Sequence, residues 1–335
     1  MTAPVLSPTI TPPTSPGARV AGTGSRVPVP VLAVLRRLGT ALVVLWGAVT
    51  VTFCVMAFMP GDRVSSIVGG SAPVTPELRA QVEEQYGLNN PLLVQYVEYV
   101  VGLLRGDLGM SYALKMPVAE ALGEQLGFTV QLLIASTVVA LVVAVAVALL
   151  TAHRAHWLRS LVSSVETLFV AVPSFWLGIM LITVFSFGLR WLPAAGASGI
   201  QGLVLPSLAL GLPIAATLSQ VMRDGLEKTL DEPFVVAVRA RGASETLVRL
   251  GHGIRHTLLP AVTLIGWMTG SLIGGSVIVE QVFSRSGIGR MMVYALESRD
   301  LPVVLGIVVV TAVFFVVINA VTDILYPLID PRIRS

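Results

Sequence analysis

Few side chains in this sequence have the types and spacing that chemistry requires. His252 and His256 are four residues apart, which would place two imidazoles on one helix face, as in a metal site. No further ligands lie near them in the sequence, so a polar helix face is the favoured interpretation. Glu166 and Asp323 are the acids expected inside apolar segments, and no histidine is expected there with them. This pattern argues against an intramembrane hydrolase, which needs a nucleophile–base pair or a metal at one depth.

Motifs for nucleotide binding and hydrolysis are absent. The sequence has no G-x-x-x-x-G-K-[ST], no G-x-S-x-G and no H-E-x-x-H. Gly287 and Gly289 form a G-x-G, but they follow an apolar run rather than a strand–turn–helix, so a dinucleotide site is rejected. The sequence therefore predicts no catalytic residue, no bound cofactor and no metal ligand in this chain.

The composition indicates a membrane protein. The chain has 335 residues, of which 12% are charged, and a mean hydropathy of +0.83. A helix needs about 20 apolar residues to cross a bilayer. Six runs are long enough: 38–59, 128–150, 162–187, 203–222, 259–279 and 303–325. They lack strict apolar–polar alternation, so the predicted fold class is all-α, a polytopic protein with six transmembrane helices.

Orientation follows from the basic residues. Arg36 and Arg37 directly precede the first run, which favours cytosolic N- and C-termini around six spans. Residues 1–30 are rich in proline and contain no acid, so we expect a disordered cytosolic tail before a transmembrane domain of residues 31–335. The single cysteine, Cys54, permits no disulfide within the chain.

Polar and small residues inside the spans have modest predicted roles. Glu166 lies near the cytosolic end of its run, so we expect its carboxylate to reach water. Pro173 in the same run predicts a kink. Gly211, Ala215 and Ala216 permit close helix packing.

The first outer loop, residues 60–127, carries helix signals. Thr75 with Pro76 starts one helix, Gly87 stops it, and Pro91 starts another. The loop is either a solvated cap or a surface for an external binding protein or outer gate, and the sequence leaves both open.

The longest cytosolic interval is predicted at residues 223–258. Asp231 is expected to cap a helix that has Pro233 in its first turn. Gly242 supplies a stop, and Ser244 caps a second helix that ends near the next span. The result is a short helix, a glycine turn and another helix between two spans.

This interval resembles the cytosolic coupling loop of permease subunits of ABC importers, most closely in the dipeptide, oligopeptide and nickel branch. The matching residues are Arg239, Ala240, Arg241, Gly242, Arg249, His252, Arg255, Leu258, Leu259 and Pro260. Val236 stands where the general pattern has a glutamate. The resemblance extends over residues 31–335 and includes an outer connector at 280–302.

The resemblance implies an ATP-driven importer in which this chain forms half of the path. The residues expected to couple to an ATPase are Ala237, Arg239, Ala240, Arg241, Gly242 and Ala243. The alanines permit close approach and the arginines can pair with acids on that subunit. The candidates for a gate are Glu280, Phe283, Gly287 and Gly289.

The implied partners are a second related permease, two ATPase subunits that bind ATP and magnesium, and an external substrate-binding protein. The implied location is the bacterial cytoplasmic membrane, and the implied cargo is short peptides, with nickel complexes and other small solutes open. An autonomous channel or secondary transporter is the alternative, although mid-span charges typical of that class are not evident. A static scaffold is a further alternative.

Overall fold

The structure is a computed structural model of the chain. It describes residues 29–68, 74–197 and 199–329. Contacts divide the chain after Leu42, and the described part of the first unit is the beginning of the first helix, where the Thr40 hydroxyl donates to the Arg36 carbonyl (2.9 Å). The predicted disordered tail, residues 1–30, lies outside the described residues except for its last two, which begin that helix.

The described secondary structure is helical, apart from one isolated bridge between Met110 and Pro117. The helices are α1 (Val29–Ala57), α2 (Arg63–Val68), α3 (Pro76–Gln85), α4 (Leu92–Leu104), α5 (Val118–Thr151), α6 (His156–Ala171), α7 (Ser174–Leu181), α8 (Gln201–Leu230), α9 (Pro233–Ala240), α10 (Glu245–Leu247), α11 (Ile254–Val282), α12 (Ile288–Glu297) and α13 (Leu301–Ile329). Two π-helical segments, Ile182–Gly188 and Val248–Gly253, follow α7 and α10. The all-α prediction is confirmed.

Four of these helices are long and apolar enough to cross a membrane alone: α1, α5, α8 and α13. Two bent pairs complete the six predicted spans if each pair is counted as one. The first joins α6 to α7 and its π-helical segment at 106°, and the second is a 56° bend inside α11. Pro173 lies at the first bend, so the predicted kink is a full break between α6 and α7.

α5 and α8 pack closely because small residues line their contact. Ala140, Ala144 and Ala148 of α5 recur every four residues and are fully buried. A Cβ on Gly211 of α8 would lie 2.7 Å from the Ser136 carbonyl oxygen, so no larger residue fits there without displacement. The small-residue packing predicted for α8 is therefore present, and α5 lies against it.

The predicted polar interval 223–258 begins too early, because α8 continues to Leu230. Leu226 and Leu230 are buried and extend the apolar face of the helix beyond the membrane-length run. Asp231 then closes α8 with its N–H rather than capping α9, and Glu232 precedes α9 without a side-chain cap. The interval also ends earlier, since α11 runs through Pro260 without interruption.

Glu166 and Arg223 form a buried ion pair between α6 and α8. Arg223 donates from Nη1 to Glu166 Oε1 (3.0 Å) and from Nη2 to Oε2 (2.9 Å). The Ser219 hydroxyl adds a bond to Oε1 (2.7 Å), and Arg223 Nη2 also donates to Ser163 Oγ (3.1 Å). The prediction that Glu166 reaches water is wrong, because its side chain is buried. Its charge is balanced there by Arg223, which lies 57 residues later in the chain.

Candidate functional site

The coupling segment, residues 231–253 between α8 and α11, is held on the bundle by one face of α9. Val235 and Val238 lie three residues apart and are buried. They pack with the ends of α5 and α8 and with the following π-helical segment. The cluster comprises Ala152, Leu226, Leu230, Val235, Val238 and Val248. α9 therefore has a fixed apolar base.

The other face of α9 is exposed and still apolar. Val236 is 66% exposed, and Ala237 and Ala240 are exposed beside it. Leu247 and Leu250 expose about half of their area on the next turns of the segment. Small and aliphatic side chains exposed together on one short helix are typical of a surface that inserts into a groove of a partner.

Gly242 turns the chain after α9. Its φ is +83°, and a Cβ there would meet nothing within 4 Å, so the backbone conformation rather than space favours glycine. Ser244 Oγ accepts the Leu247 N–H (3.3 Å), as the predicted second cap. Ala243 is half-buried against the cluster, so it lies on the base of the segment and not on its exposed face.

The two predicted arginines have different surroundings. Arg239 donates from Nε to Glu245 Oε1 (2.7 Å) and from Nη2 to Oε2 (3.3 Å). This bond holds the pKa of the Glu245 carboxyl below its usual value. Arg241 donates to the carbonyl of Ala237 (3.3 Å), and the described residues provide no carboxylate for it. Arg239 is thus paired inside the segment, whereas Arg241 is exposed and has no such pair among the described residues.

Arg249 ties the coupling segment to the end of α5. Its Nη1 donates to the carbonyls of Leu149 (3.1 Å) and Ala152 (3.3 Å). Carbonyls at a helix C-terminus have no intrahelical donor, and a cation there also opposes the negative end of the helix dipole. A displacement of the segment therefore acts directly on α5.

A second site, the Glu280 node, lies toward the other end of α5. The Thr129 hydroxyl donates to Glu280 Oε1 (2.6 Å), and the N–H groups of Gly289 (2.8 Å) and Arg290 (3.1 Å) donate to Oε2. Thr129 Oγ1 also accepts the Ile288 N–H (2.9 Å). Glu280 is fully buried. One carboxylate at the end of α11 thus caps the first turn of α12 and fixes α5 beside it.

The predicted gate glycines are explained by this carboxylate. A Cβ on Gly287 would lie 2.3 Å from the carboxyl carbon of Glu280. A Cβ on Gly289 would lie 2.5 Å from the Cα of Val277. Both glycines are therefore required by space. Sequence reasoning missed Thr129, because a single threonine in an apolar run carries no signal of a partner 151 residues away.

Phe283 is buried and extends the node toward α7 and α8. A Cβ on Gly178 of α7 would lie 3.0 Å from its ring, and its carbonyl accepts the Gly196 N–H (3.1 Å). The neighbouring Arg285 is largely buried and donates to the Phe128 carbonyl (3.4 Å). The structure thus brings all four predicted gate candidates into one packed region where α5, α11 and α12 meet.

Neither site resembles a metal centre. Within the described residues, no three side chains of histidine, cysteine, aspartate or glutamate are grouped to hold an ion. His252 lies in the second π-helical segment and His256 near the start of α11. Their side chains lie outside those that the structure describes.

Comparison with known proteins identifies the class of this bundle. Residues 136–335 match the family of inner-membrane components of binding-protein-dependent transport systems, and residues 31–133 match the N-terminal part of such membrane components. The chain belongs to this family. The resemblance drawn from the coupling segment is confirmed, and the protein is a permease subunit of an ABC importer, in the peptide and nickel branch.

Two relatives cover nearly the full length. The glutathione transport system permease protein GsiC of Escherichia coli K12 is 37% identical over 306 residues, which are 90% of this chain and 98% of the relative. A putative peptide transport system permease protein of Brucella abortus 2308 is 34% identical over 310 residues, again 90% and 98%. The family places the protein in the inner membrane as a multi-pass component of a larger system, in which separate subunits hydrolyse ATP.

Proposed function

We propose that the coupling segment docks on an ATPase subunit and transmits its movement to the spans. The observation that carries the proposal is the exposed apolar face of α9 on a buried valine base. A groove on the ATPase would receive Val236, Ala237 and Ala240, whose short side chains permit close approach. Arg241 would meet an acid at the rim of that groove.

Transmission would follow the contacts of the segment. Arg249 bonds the terminal carbonyls of α5, and Val235 packs with Leu226 and Leu230 of α8. A force on α9 therefore reaches two spans that pack against each other along their lengths. Closure of two ATPase subunits on ATP would tilt these spans, and the path between this chain and a second permease would open to one side at a time.

The proposed cargo is short peptides, received from an external substrate-binding protein. The names of the two relatives support this class, since one transports glutathione and the other is a putative peptide permease. We place α9, and with it the chain termini, in the cytosol and the Glu280 node on the outside. Arg36 and Arg37 directly before the first span support this orientation.

Co-purification with the ATPase tests the docking surface. A237D and A240D place a charge on the exposed face of α9, where no contact of the chain is lost, and we expect loss of the ATPase from the purified complex. A80D makes the same change at an exposed position of α3 and serves as the matched control. Retention of the ATPase by both α9 variants would refute docking through this face.

Transport by the reconstituted complex tests both the proposed cargo and the ATP-driven import mechanism. We expect ATP-dependent uptake of labelled di- and tripeptides into proteoliposomes only when the binding protein and both ATPase subunits are present. Uptake by this chain alone without ATP would instead support the autonomous transporter. Uptake of a nickel chelate and not of peptides would support the ATP-driven importer and contradict the proposed peptide cargo.

A further inference from the structure

α4 (Leu92–Leu104) has three faces of different character. Tyr96, Tyr99 and Leu103 point inward and pack against the core cluster that contains Phe53 of α1. The helix has 13 residues, too few to span a membrane. Neither the length of α4 nor its inward contacts account for the residues on its outward face.

The outward face is a continuous apolar stripe. Leu93, Val97, Val101 and Leu104 recur at helical spacing and are all exposed, Leu93 by 73% and Leu104 by 83%. In a water-exposed loop, such a stripe along the whole length of a helix would be unfavourable.

A polar face lies next to this stripe. Gln95, Glu98 and Gly102 line a groove of about 620 Å³, which also contains Glu84 and Asp107. The helix therefore has an aqueous side, an inward side and an apolar side. This three-sided pattern is typical of a helix that lies in the plane of a membrane interface.

Contacts with α1 set the depth of α4. The hydroxyl groups of Tyr96 and Thr50 are 2.6 Å apart, and the Tyr96 ring packs edge-on against Phe53 with centroids 5.3 Å apart. The candidate span of α1 ends at Ala57. At ~1.5 Å per residue, Phe53 and Thr50 lie about 6 and 10 Å inside that end. Interfacial helices bury their apolar face to about this depth, roughly 5–10 Å.

α1 exposes aliphatic side chains in the part of the helix that contacts α4. Val51 and Val55 of α1 are each more than 60% exposed in the same stretch that holds Thr50 and Phe53. We propose that α4 lies in the membrane interface next to the Ala57 end of α1, with Leu93, Val97, Val101 and Leu104 in contact with lipid. This surface goes beyond the proposed docking of the ATPase and does not depend on it.

Spin-label depth measurement tests the proposal in the assembled transporter. Cys54 is the single cysteine and is exposed, so C54S gives a background for L93C, V97C and V101C. Nitroxide labels are then read in lipid nanodiscs by collision with oxygen, which concentrates in lipid, and with a water-soluble nickel chelate. W46C, exposed near the middle of the α1 span, is the deep-lipid control, and A80C on α3 is the aqueous control.

We expect the ratio of oxygen to nickel collisions at Leu93, Val97 and Val101 to lie above that of A80C and below that of W46C. A ratio equal to that of A80C would place the stripe in water and overturn the proposal. Labels immobilised and reached by neither reagent would show that another protein chain covers the stripe, which also overturns it. ATP-dependent transport by each labelled variant verifies that the complex is intact.

Discussion

The coupling segment and the Glu280 node attach to the same helix, α5, in opposite ways. At the node, a buried carboxylate accepts one hydroxyl and two backbone N–H groups. In the coupling segment, the buried side chains of Val235 and Val238 and the Arg249 contacts hold α9 to the bundle, and its other face is exposed. The hydrogen bonds to the Glu280 carboxylate all come from groups of this chain, whereas the apolar face of α9 remains exposed.

The contacts at the node contribute to the stability of the chain itself, and we propose that the exposed face of α9 contributes to the assembled complex instead. Substitutions at the node should destabilise the isolated permease, because buried polar groups lose their partners. Substitutions on the exposed face of α9 should leave the isolated permease intact and affect only the assembled complex.

Removal of the Glu280 carboxylate has the largest expected effect. E280A leaves Thr129 and the N–H groups of Gly289 and Arg290 buried without an acceptor, and we expect a loss of roughly 3–5 kcal/mol of unfolding free energy. Unfolding of the purified chain in detergent measures it. E280Q retains a carbonyl acceptor and should lose less. Native-like stability of E280A would remove the basis for the contrast.

Two glycine substitutions compare space with backbone conformation. In G289A the new Cβ would lie 2.5 Å from the Val277 Cα, so the backbone must shift at a cost of about 2–3 kcal/mol. G242A meets no atom within 4 Å and suffers only from its positive φ, about 1 kcal/mol. G274A, in open space on α11, is the control and should not destabilise. Equal losses of unfolding free energy for G289A and G242A would contradict the conclusion that Gly289 is required by close packing at the node.

Arg249 should have an intermediate effect on stability and a larger one on coupling. R249L leaves the carbonyls of Leu149 and Ala152 without this donor, and we expect a loss of roughly 1–2 kcal/mol of unfolding free energy. In the reconstituted complex, ATP hydrolysis should continue while peptide uptake falls. R154L alters an exposed arginine on the turn between α5 and α6 and provides the control. Unchanged uptake per ATP in R249L would mean that force reaches the spans without this bond.

The Arg239–Glu245 pair should have the smallest effect. Arg239 lowers the pKa of Glu245, so the pair stabilises above the ordinary glutamate pKa and loses this contribution as pH falls through the lowered value. E245Q should therefore differ slightly from the native chain at neutral pH and not at all in acid. Because both side chains are exposed, added salt should erase the difference. A large loss of unfolding free energy in E245Q that salt does not change would contradict the description of this pair as exposed and weak.

Local signals in the sequence predicted local structure well. Thr75 caps α3 through the Leu78 N–H (3.3 Å), α4 begins after Pro91, and Gly242 has the positive φ that its position implied. Each of these depends on neighbours within about four residues, which the sequence displays directly.

Long-range partnerships were not predictable in this way. Glu166 was expected to reach water, and Arg223 was placed in a polar interval, because nothing local pairs residues on different helices. Asp231 had the right type for an N-cap, but burial of Leu230 extended α8 and changed its role. The four gate candidates pack in one region, but the contacts of Gly287 and Gly289 with the Glu280 carboxylate are apparent only in the fold.

α5 has no proline, and from Phe128 to Thr151 it has no glycine either. From Thr129 to Leu149 the helix rises about 30 Å at ~1.5 Å per residue. A helix of this kind resists shortening, so we expect its two attachments to move together during a transport cycle. Flexing is then left to the breaks at Pro173 and within α11. We therefore expect a proline introduced midway along α5 to bend this connection and to weaken the coupling between its two attachments.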